Sequence, residues 1–242
     1  MTTILDIDLG NTRLKWRVLE DATLLERGAF ETDLLASPTP LPAPWSRASR
    51  VRVVAVGARA QLLSDRLAAA GIGPVEVAAA GARCGRLHSG YREPARLGAD
   101  RWLALAAGAA RCEGAFAVVD AGSALTLDLV DGGGRHQGGW IVPGFRLMEE
   151  ALLRGTAAVR FEPLDGICAG QPGANTQEAV LGGLLTMARD FVVARTLALR
   201  AEAPAAPLYV TGGDGARLAA ALTLDHERVE DLVLDGLAAV LP

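Results

Sequence analysis

Apolar and polar positions alternate in the same way at two places along the chain. Ile4–Glu20 reads ILDIDLGNTRLKWRVLE: an apolar run, an Asp8-x-Gly10-Asn11 turn, then Leu14, Trp16 and Val18 alternating with Arg13, Lys15 and Arg17. Phe116–Gly132 reads FAVVDAGSALTLDLVDG and repeats the plan, with Asp120-x-Gly122-Ser123 followed by Leu125, Leu127 and Leu129 alternating with Thr126 and Asp128. A period of two on the far side of a short glycine turn predicts a β-hairpin in each case. Asp8 and Asp120 stand 112 residues apart in a chain of 242. Two similar domains, 1–114 and 115–242, each opening with the same hairpin, account for that spacing.

Between the hairpins the pattern predicts a strand at Val51–Val56, a helix at Ala60–Ala70, a strand at Pro74–Val77 and a strongly helical run at Arg101–Arg111. The proline-rich stretch Ser37–Pro44 reads as a surface loop. In the second half, Gln177–Arg200 reads as a long helix and Leu208–Thr211 as a buried strand. Gly212–Gly215 is then a turn into a helix at Ala216–Ala221. Strands and helices mixed in this order define an α/β architecture.

Composition narrows the function classes. Half of the residues are hydrophobic and the net charge is −4, so the chain is expected to fold around a proper core without disulfides or a structural metal. A mildly acidic chain with no basic run argues against nucleic acid as a partner. The first residues, Met1–Asp6, lack a basic signal-peptide region. The uncharged stretches Leu103–Ala110 and Ala179–Ala188 fall well short of the roughly 20 residues a membrane span needs, so no membrane partner is expected. Cys84, Cys112 and Cys168 are scattered without C-x-x-C spacing, which suits structural thiols in a reducing cytoplasm.

Of the 24 basic residues other than histidine, 23 are arginine and one is lysine, Lys15. A bias toward arginine explains most of that count but not the survivor. Lysine differs from arginine where a compact point charge must meet a phosphate. No G-x-x-x-x-G-K-[ST] run surrounds Lys15, so a Walker A loop is excluded. A glycine turn between two strands instead brings backbone N–H groups toward whatever lies over it, and such nests suit phosphate oxygens. Asp8 adds a carboxylate able to hold Mg²⁺ through water. Two such turns facing each other across a cleft outline a nucleoside triphosphate site. For either turn alone, an ordinary hairpin is the competing reading.

Beyond the hairpins, further motifs follow in order: Tyr91-Arg92-x-Pro94, Leu97–Arg101, Gly138–Gly144, Asn175-Thr176 and Thr211-Gly212-Gly213. With Asp-x-Gly-Asn-Thr-x-x-Lys and Asp-x-Gly-Ser-Ala-x-Thr-x-Asp, the set resembles the acetate/sugar kinase–Hsp70–actin superfamily, and in full the type III pantothenate kinases. That resemblance extends from residue 6 to about 213. It implies two ribonuclease H-like domains with the active site in the cleft between them. It also implies ATP with Mg²⁺ as phosphoryl donor, pantothenate as acceptor, a monovalent cation (K⁺ or NH₄⁺) and a homodimer. Asp8, Leu9, Gly10, Asn11, Thr12, Arg13, Leu14, Lys15 and Ser123 are then expected at ATP. Tyr91, Gly98, Ala99, Asp100 and Arg101 are expected at pantothenate, with Thr176 reaching it from the partner subunit. Asp120 is expected to bind the monovalent cation.

Read without the resemblance, Asp100 is a first-turn or capping acid of a helix. The same setting holds a carboxylate ionised, and the resemblance makes Asp100 the general base for the pantothenate hydroxyl. Arg101 is a helix-surface arginine or a fork for the acceptor's carboxylate. Asn175 with Glu178 resembles a capping box, and the residues alone favour that reading over a substrate contact at Thr176. Two positions depart from the family's usual residues: Ser123 keeps the hydroxyl of the usual threonine, and Val54-Ala55-Val56-Gly57 replaces a serine-rich run. His88, His136 and His226 lack metal-ligand spacing, and Gly132-Gly133-Gly134 reads as a hairpin tip. The Gly212–Gly215 turn lies beside adenosine in the kinases of this superfamily. The competing functions are a non-catalytic relative acting as a transcriptional accessory protein and a same-superfamily kinase for another small hydroxy acid.

Overall fold

The computed structural model describes residues 2–55, 59–156, 159–162 and 168–242. Through residue 111 the chain forms β1 (Thr3–Leu9), β2 (Arg13–Glu20), β3 (Thr23–Glu31), β4 (Arg50–Ala55) and α1 (Arg59–Ala69). It continues through β5 (Val75–Val77), β6 (Arg83–Cys84), β7 (Leu87–His88) and α2 (Ala99–Arg111). Next come β8 (Phe116–Ala121), β9 (Ala124–Val130), β10 (His136–Pro143), α3 (Phe145–Gly155) and α4 (Thr176–Glu202). The chain closes with β11 (Leu208–Thr211), α5 (Gly215–Ala221), β12 (Glu227–Arg228) and α6 (Leu232–Val240). Two units result, one of residues 1–111 with 231–242 and the other of residues 112–230.

The first unit is built on a sheet of order β3-β2-β1-β4-β5 and the second on β10-β9-β8-β11-β12. In both, the first three strands in sequence run antiparallel to one another, and the fourth and fifth run parallel to the first. The half-length repeat is therefore a repeat of topology, with β1 equivalent to β8 and β2 to β9. Each unit has the mixed five-stranded sheet of the ribonuclease H-like fold.

Period-two alternation explains the first core. Leu5, Ile7 and Leu9 of β1 and Leu14, Trp16 and Val18 of β2 are buried together with Val51, Val53, Leu63 and Leu67. The proline-rich stretch is irregular and largely exposed through Pro42, as expected of a surface loop, and leads into a 3₁₀ helix, Ala43–Arg47, that seats Trp45 in this core. The Trp45 ring lies 6.0 Å from Trp16 and 6.1 Å from Phe30, so aromatic packing anchors the segment. In the second unit, Leu181, Leu185, Ala188, Val192, Thr196 and Leu199 of α4 recur at helical spacing. All are buried, and most pack with β8, β9 and β11.

Dividing the chain at residue 114 placed its last helix in the second half, and the structure corrects this. α6 packs against α2 in the first unit, and a Cβ on Gly236 would lie only 2.1 Å from the Leu103 carbonyl oxygen. Only glycine permits so close an approach, and it brings the two helices backbone to backbone. α2 is correspondingly buried from Arg101 to Gly108. Edge strands β3 and β10 were not anticipated, because their exposed faces blur the alternation. Among the described residues, no helix is long and apolar enough to cross a membrane.

Candidate active site

In the first hairpin, Asp8 of β1 is the direct cross-strand partner of Lys15 of β2, so both side chains project from the same face. Leu9 and Leu14 pair on the opposite face and are fully buried, so they contribute backbone rather than side chain to any ligand. The turn between them has an unusual feature: all four of its carbonyl oxygens accept hydrogen bonds from the protein. Gly10 O accepts from the Thr32 hydroxyl at 2.9 Å, and Asn11 O from the Arg59 guanidinium at 2.5 Å. Thr12 O accepts from the Thr32 amide at 3.0 Å, and Arg13 O from the Gly10 amide at 3.1 Å. Arg59 is itself held by Asp33 at 2.6 Å. With its carbonyl oxygens tied off, the turn opposes an approaching anion less with peptide oxygens, on the hairpin that also carries Lys15. A Cβ on Gly10 would meet Arg13 O at 2.9 Å, so this tight turn wants glycine.

Also in the first unit, the structure brings together Tyr91, Gly98, Asp100 and Arg101. Asp100 lies in the first turn of α2, where its Oδ1 accepts the Arg101 amide at 2.8 Å. A Cβ on Gly98 would sit 2.6 Å from that oxygen, so Gly98 leaves the carboxylate its room, with Ala99 between them. Arg101 is not a helix-surface arginine. It is only 6% exposed, and its Nη1 donates to the Tyr91 hydroxyl at 2.7 Å, with the guanidinium 5.6 Å from the ring centroid. These contacts with Tyr91 fix the orientation of the buried guanidinium.

In the second unit, the Gly122 amide donates to Ala124 O at 3.0 Å to close the equivalent turn, and Ser123 O accepts from the Gly144 amide at 3.2 Å. The Thr211–Gly213 turn presses onto this hairpin. Asp214 donates its amide to Ala121 O at 2.8 Å, and a Cβ on Gly212 would come within 2.4 Å of both Ala121 O and Asp120 Oδ1. Gly212 has φ +95°, a second reason for glycine there. Asp120 thus lies where two backbone turns meet. Burial raises the Asp214 carboxyl above the usual range, a shift opposed by Arg217 and reinforced by Glu149.

Thr176 is exposed in the first turn of α4, in the second unit. The capping reading of its neighbours holds: Asn175 Oδ1 accepts the Glu178 amide at 2.9 Å, and Glu178 reaches back to the Ala174 amide at 2.8 Å. Gly132-Gly133-Gly134 is a hairpin tip, with Asp131 Oδ1 accepting the Gly133 and Arg135 amides. The Val56 and Gly57 positions of the departing run lie outside the described residues. Sequence reasoning missed Thr32 and Arg59, which tie off the first turn, and the buried Asp6, which takes a fork from Arg52 at 2.7 and 3.1 Å and a bond from Arg17 at 2.9 Å. The alternation that places Lys15 on one face also places Arg17 there, and would have revealed the Arg17–Asp6 pair.

The donor sets fit the groups expected. Among the described residues, no group of three or more His, Cys, Asp or Glu could hold a metal ion. Mg²⁺ bound through phosphates and water needs only one or two protein carboxylates, and Asp8 is a carboxylate that could serve. Asp120 offers carboxylate oxygens, hard donors of the class that alkali and alkaline-earth cations take.

Two equivalent mixed sheets, each presenting an Asp-x-Gly hairpin, give the chain the fold of the actin-like ATPase and sugar-kinase class. Within that class the chain belongs to the type III pantothenate kinase family, whose model matches residues 4–196. It is 42% identical to the type III pantothenate kinase of Marinobacter nauticus over 98% of this chain and 97% of the other. Among solved structures it resembles one assigned as a Baf family transcriptional activator from Campylobacter jejuni, with TM-score 0.61, 20% identity, and 98% and 96% of the two chains covered. It also resembles one assigned as a 2-dehydro-3-deoxygalactonokinase from Sinorhizobium meliloti, with TM-score 0.54, 13% identity, and 98% and 95% covered. At those identities the two structures speak for the fold alone.

Proposed function

We propose that the protein transfers the γ-phosphoryl group of ATP to pantothenate, giving 4'-phosphopantothenate and ADP, the first step of coenzyme A biosynthesis. Family membership supplies the reaction, and the feature that carries it in this chain is the Gly10–Arg13 turn, its carbonyls all tied off beside the only lysine. ATP with Mg²⁺ supplies the phosphoryl group and neutralises part of its charge. Lys15 adds a compact cation at the phosphates, Asp8 a carboxylate for metal-bound water, and Ser123 a hydroxyl from the second hairpin. Arg101, held by Tyr91, receives the carboxylate of pantothenate. Asp100 accepts the proton of the acceptor hydroxyl as its oxygen bonds to phosphorus and the bond to the ADP oxygen breaks. In so loose a transition state, alignment of that hydroxyl counts as much as proton removal.

Three finer assignments belong to this reading. Asp120 binds K⁺ or NH₄⁺. The chain acts as a homodimer, a reading supported by exposed large apolar side chains on the second unit, Trp140, Ile141 and Met187 among them. Thr176 then serves the substrate pocket of the partner subunit. The setting is the cytoplasm, where the three free cysteines stay reduced. Purified protein incubated with ATP, Mg²⁺ and pantothenate, with and without K⁺ or NH₄⁺, is expected to form phosphopantothenate detectable by mass spectrometry. Its absence under every cation condition would refute the reading.

A further inference from the structure

Asp235 lies in the first turn of α6, and its two carboxylate oxygens serve different parts of the first unit. Oδ1 accepts from Arg17 Nη1 at 2.6 Å, and Oδ2 accepts from Arg111 Nη2 at 2.7 Å. Arg17 lies on β2 two residues beyond Lys15, on the same face, and pairs across the ladder with Asp6 as Lys15 does with Asp8. Its Nη2 also donates to the Leu234 carbonyl at 2.8 Å. Burial works against the Arg17 charge, but the hydrogen bond to Asp235 and the nearby Asp6 outweigh it and hold the guanidinium above its ordinary range. Arg111 is the last residue of α2, the helix that opens with Ala99-Asp100-Arg101. One carboxylate therefore links the strand that carries Lys15 to the helix that carries Asp100.

We propose that Asp235 is a positioning residue for phosphoryl transfer, fixing the phosphate-binding strand in place relative to the helix of the general base. The inference rests on the roles given above to Lys15 and Asp100. Two kinds of tie hold the C-terminal segment, and they separate this role from simple stabilisation. Arg50 binds Glu76 at 2.6 and 2.9 Å, the Pro242 carbonyl at 2.9 Å and the Leu241 carbonyl at 3.3 Å, and it reaches neither Arg17 nor Arg111. The Asp235 tie, by contrast, joins β2 to α2 directly, through Arg17 on one side and Arg111 on the other. Reacting groups misplaced by about 1 Å can lose on the order of 10²-fold in rate, so a positioning carboxylate registers in kcat even when both substrates still bind.

The test is steady-state kinetics on the full chain, with kcat normalised to the folded fraction measured by circular dichroism. Asp235→Asn keeps the side-chain shape but not the charge. It is expected to lower kcat about ten-fold or more, with KM for ATP and for pantothenate each within about two-fold. Asp235→Glu restores most of the loss, and Arg50→Gln lowers the unfolding midpoint without changing kcat. Unchanged normalised kcat in Asp235→Asn, or an equal loss in Arg50→Gln, overturns the proposal. Where Asp235→Asn does not fold, Arg111→Gln cuts only the α2 arm, and unchanged kcat there overturns it equally. Absence of phosphopantothenate with the unaltered chain would instead refute the kinase reading, which keeps the two failures distinct.

Discussion

Asp8 and Lys15 stand directly opposite one another in the β1–β2 ladder, on the face away from the buried Leu9–Leu14 pair. Their turn has every carbonyl oxygen engaged by Thr32, Arg59 or Gly10. In the function proposed, the single lysine of an arginine-rich chain supplies a compact charge to phosphate at this turn. Lys15→Arg keeps the charge but spreads it over a planar fork. It is expected to raise KM for ATP or lower kcat by about ten-fold, a loss of about 1.4 kcal/mol in transition-state binding. Full activity in that variant would show that the lysine has no chemical role.

Gly212→Ala should act at a distance of one contact. The new methyl would collide with Asp120 Oδ1 and Ala121 O at a position already at φ +95°. The carboxylate must then move, and activation by K⁺ or NH₄⁺ is expected to fall together with activity. Asp120→Asn should abolish the activation without the backbone strain. Cation titrations of both variants check this; an unchanged activation curve in Asp120→Asn would remove the cation site from Asp120.

Trp45→Ala empties a fully buried position between Trp16 and Phe30, and should cost about 3–5 kcal/mol of stability. Trp45→Phe should cost far less, because the indole N–H has no hydrogen-bond partner among the described residues to lose. Urea denaturation of the two variants measures the difference, and equal losses would contradict the packing described.

The Asp214 carboxyl is raised in the folded protein, so the native state holds its proton to higher pH than the unfolded chain does. An acid of this kind lowers stability as pH rises above the unfolded value of about 3.9. Asp214→Asn lacks that penalty. The difference in Tm, variant minus parent, is expected to be small near pH 3.5 and to grow toward pH 7. Scanning calorimetry across that range checks the sign, and a difference that shrinks with pH would contradict it.

What was legible in the sequence was local. The two hairpins showed because alternation and a glycine turn lie within 17 residues of each other, and the Asn175 cap because Glu178 is three residues away. What was hidden depends on partners remote in sequence. The residues leave Arg101 either a surface arginine or an acceptor fork, and the distant Tyr91 is what shows it buried; α6 follows the second half in sequence but joins the first unit, where Arg17 and Arg111 grip Asp235. Thr32 and Arg59 have no motif at all: their role is to take up carbonyls in a turn about 20 and 48 residues upstream. The proline-rich stretch is the loop its composition indicates, but nothing in that composition shows that Trp45, one residue beyond it, is buried.

The central claim is that Asp100 drives phosphoryl transfer from ATP to pantothenate. Its most direct test compares the unaltered chain with Asp100→Asn at saturating ATP, Mg²⁺ and pantothenate, following phosphopantothenate by mass spectrometry and pantothenate binding by calorimetry. The account predicts steady product formation by the unaltered chain, and a loss of about 10²–10⁴-fold in kcat in the variant with binding within about two-fold. Near-normal kcat in Asp100→Asn would contradict it.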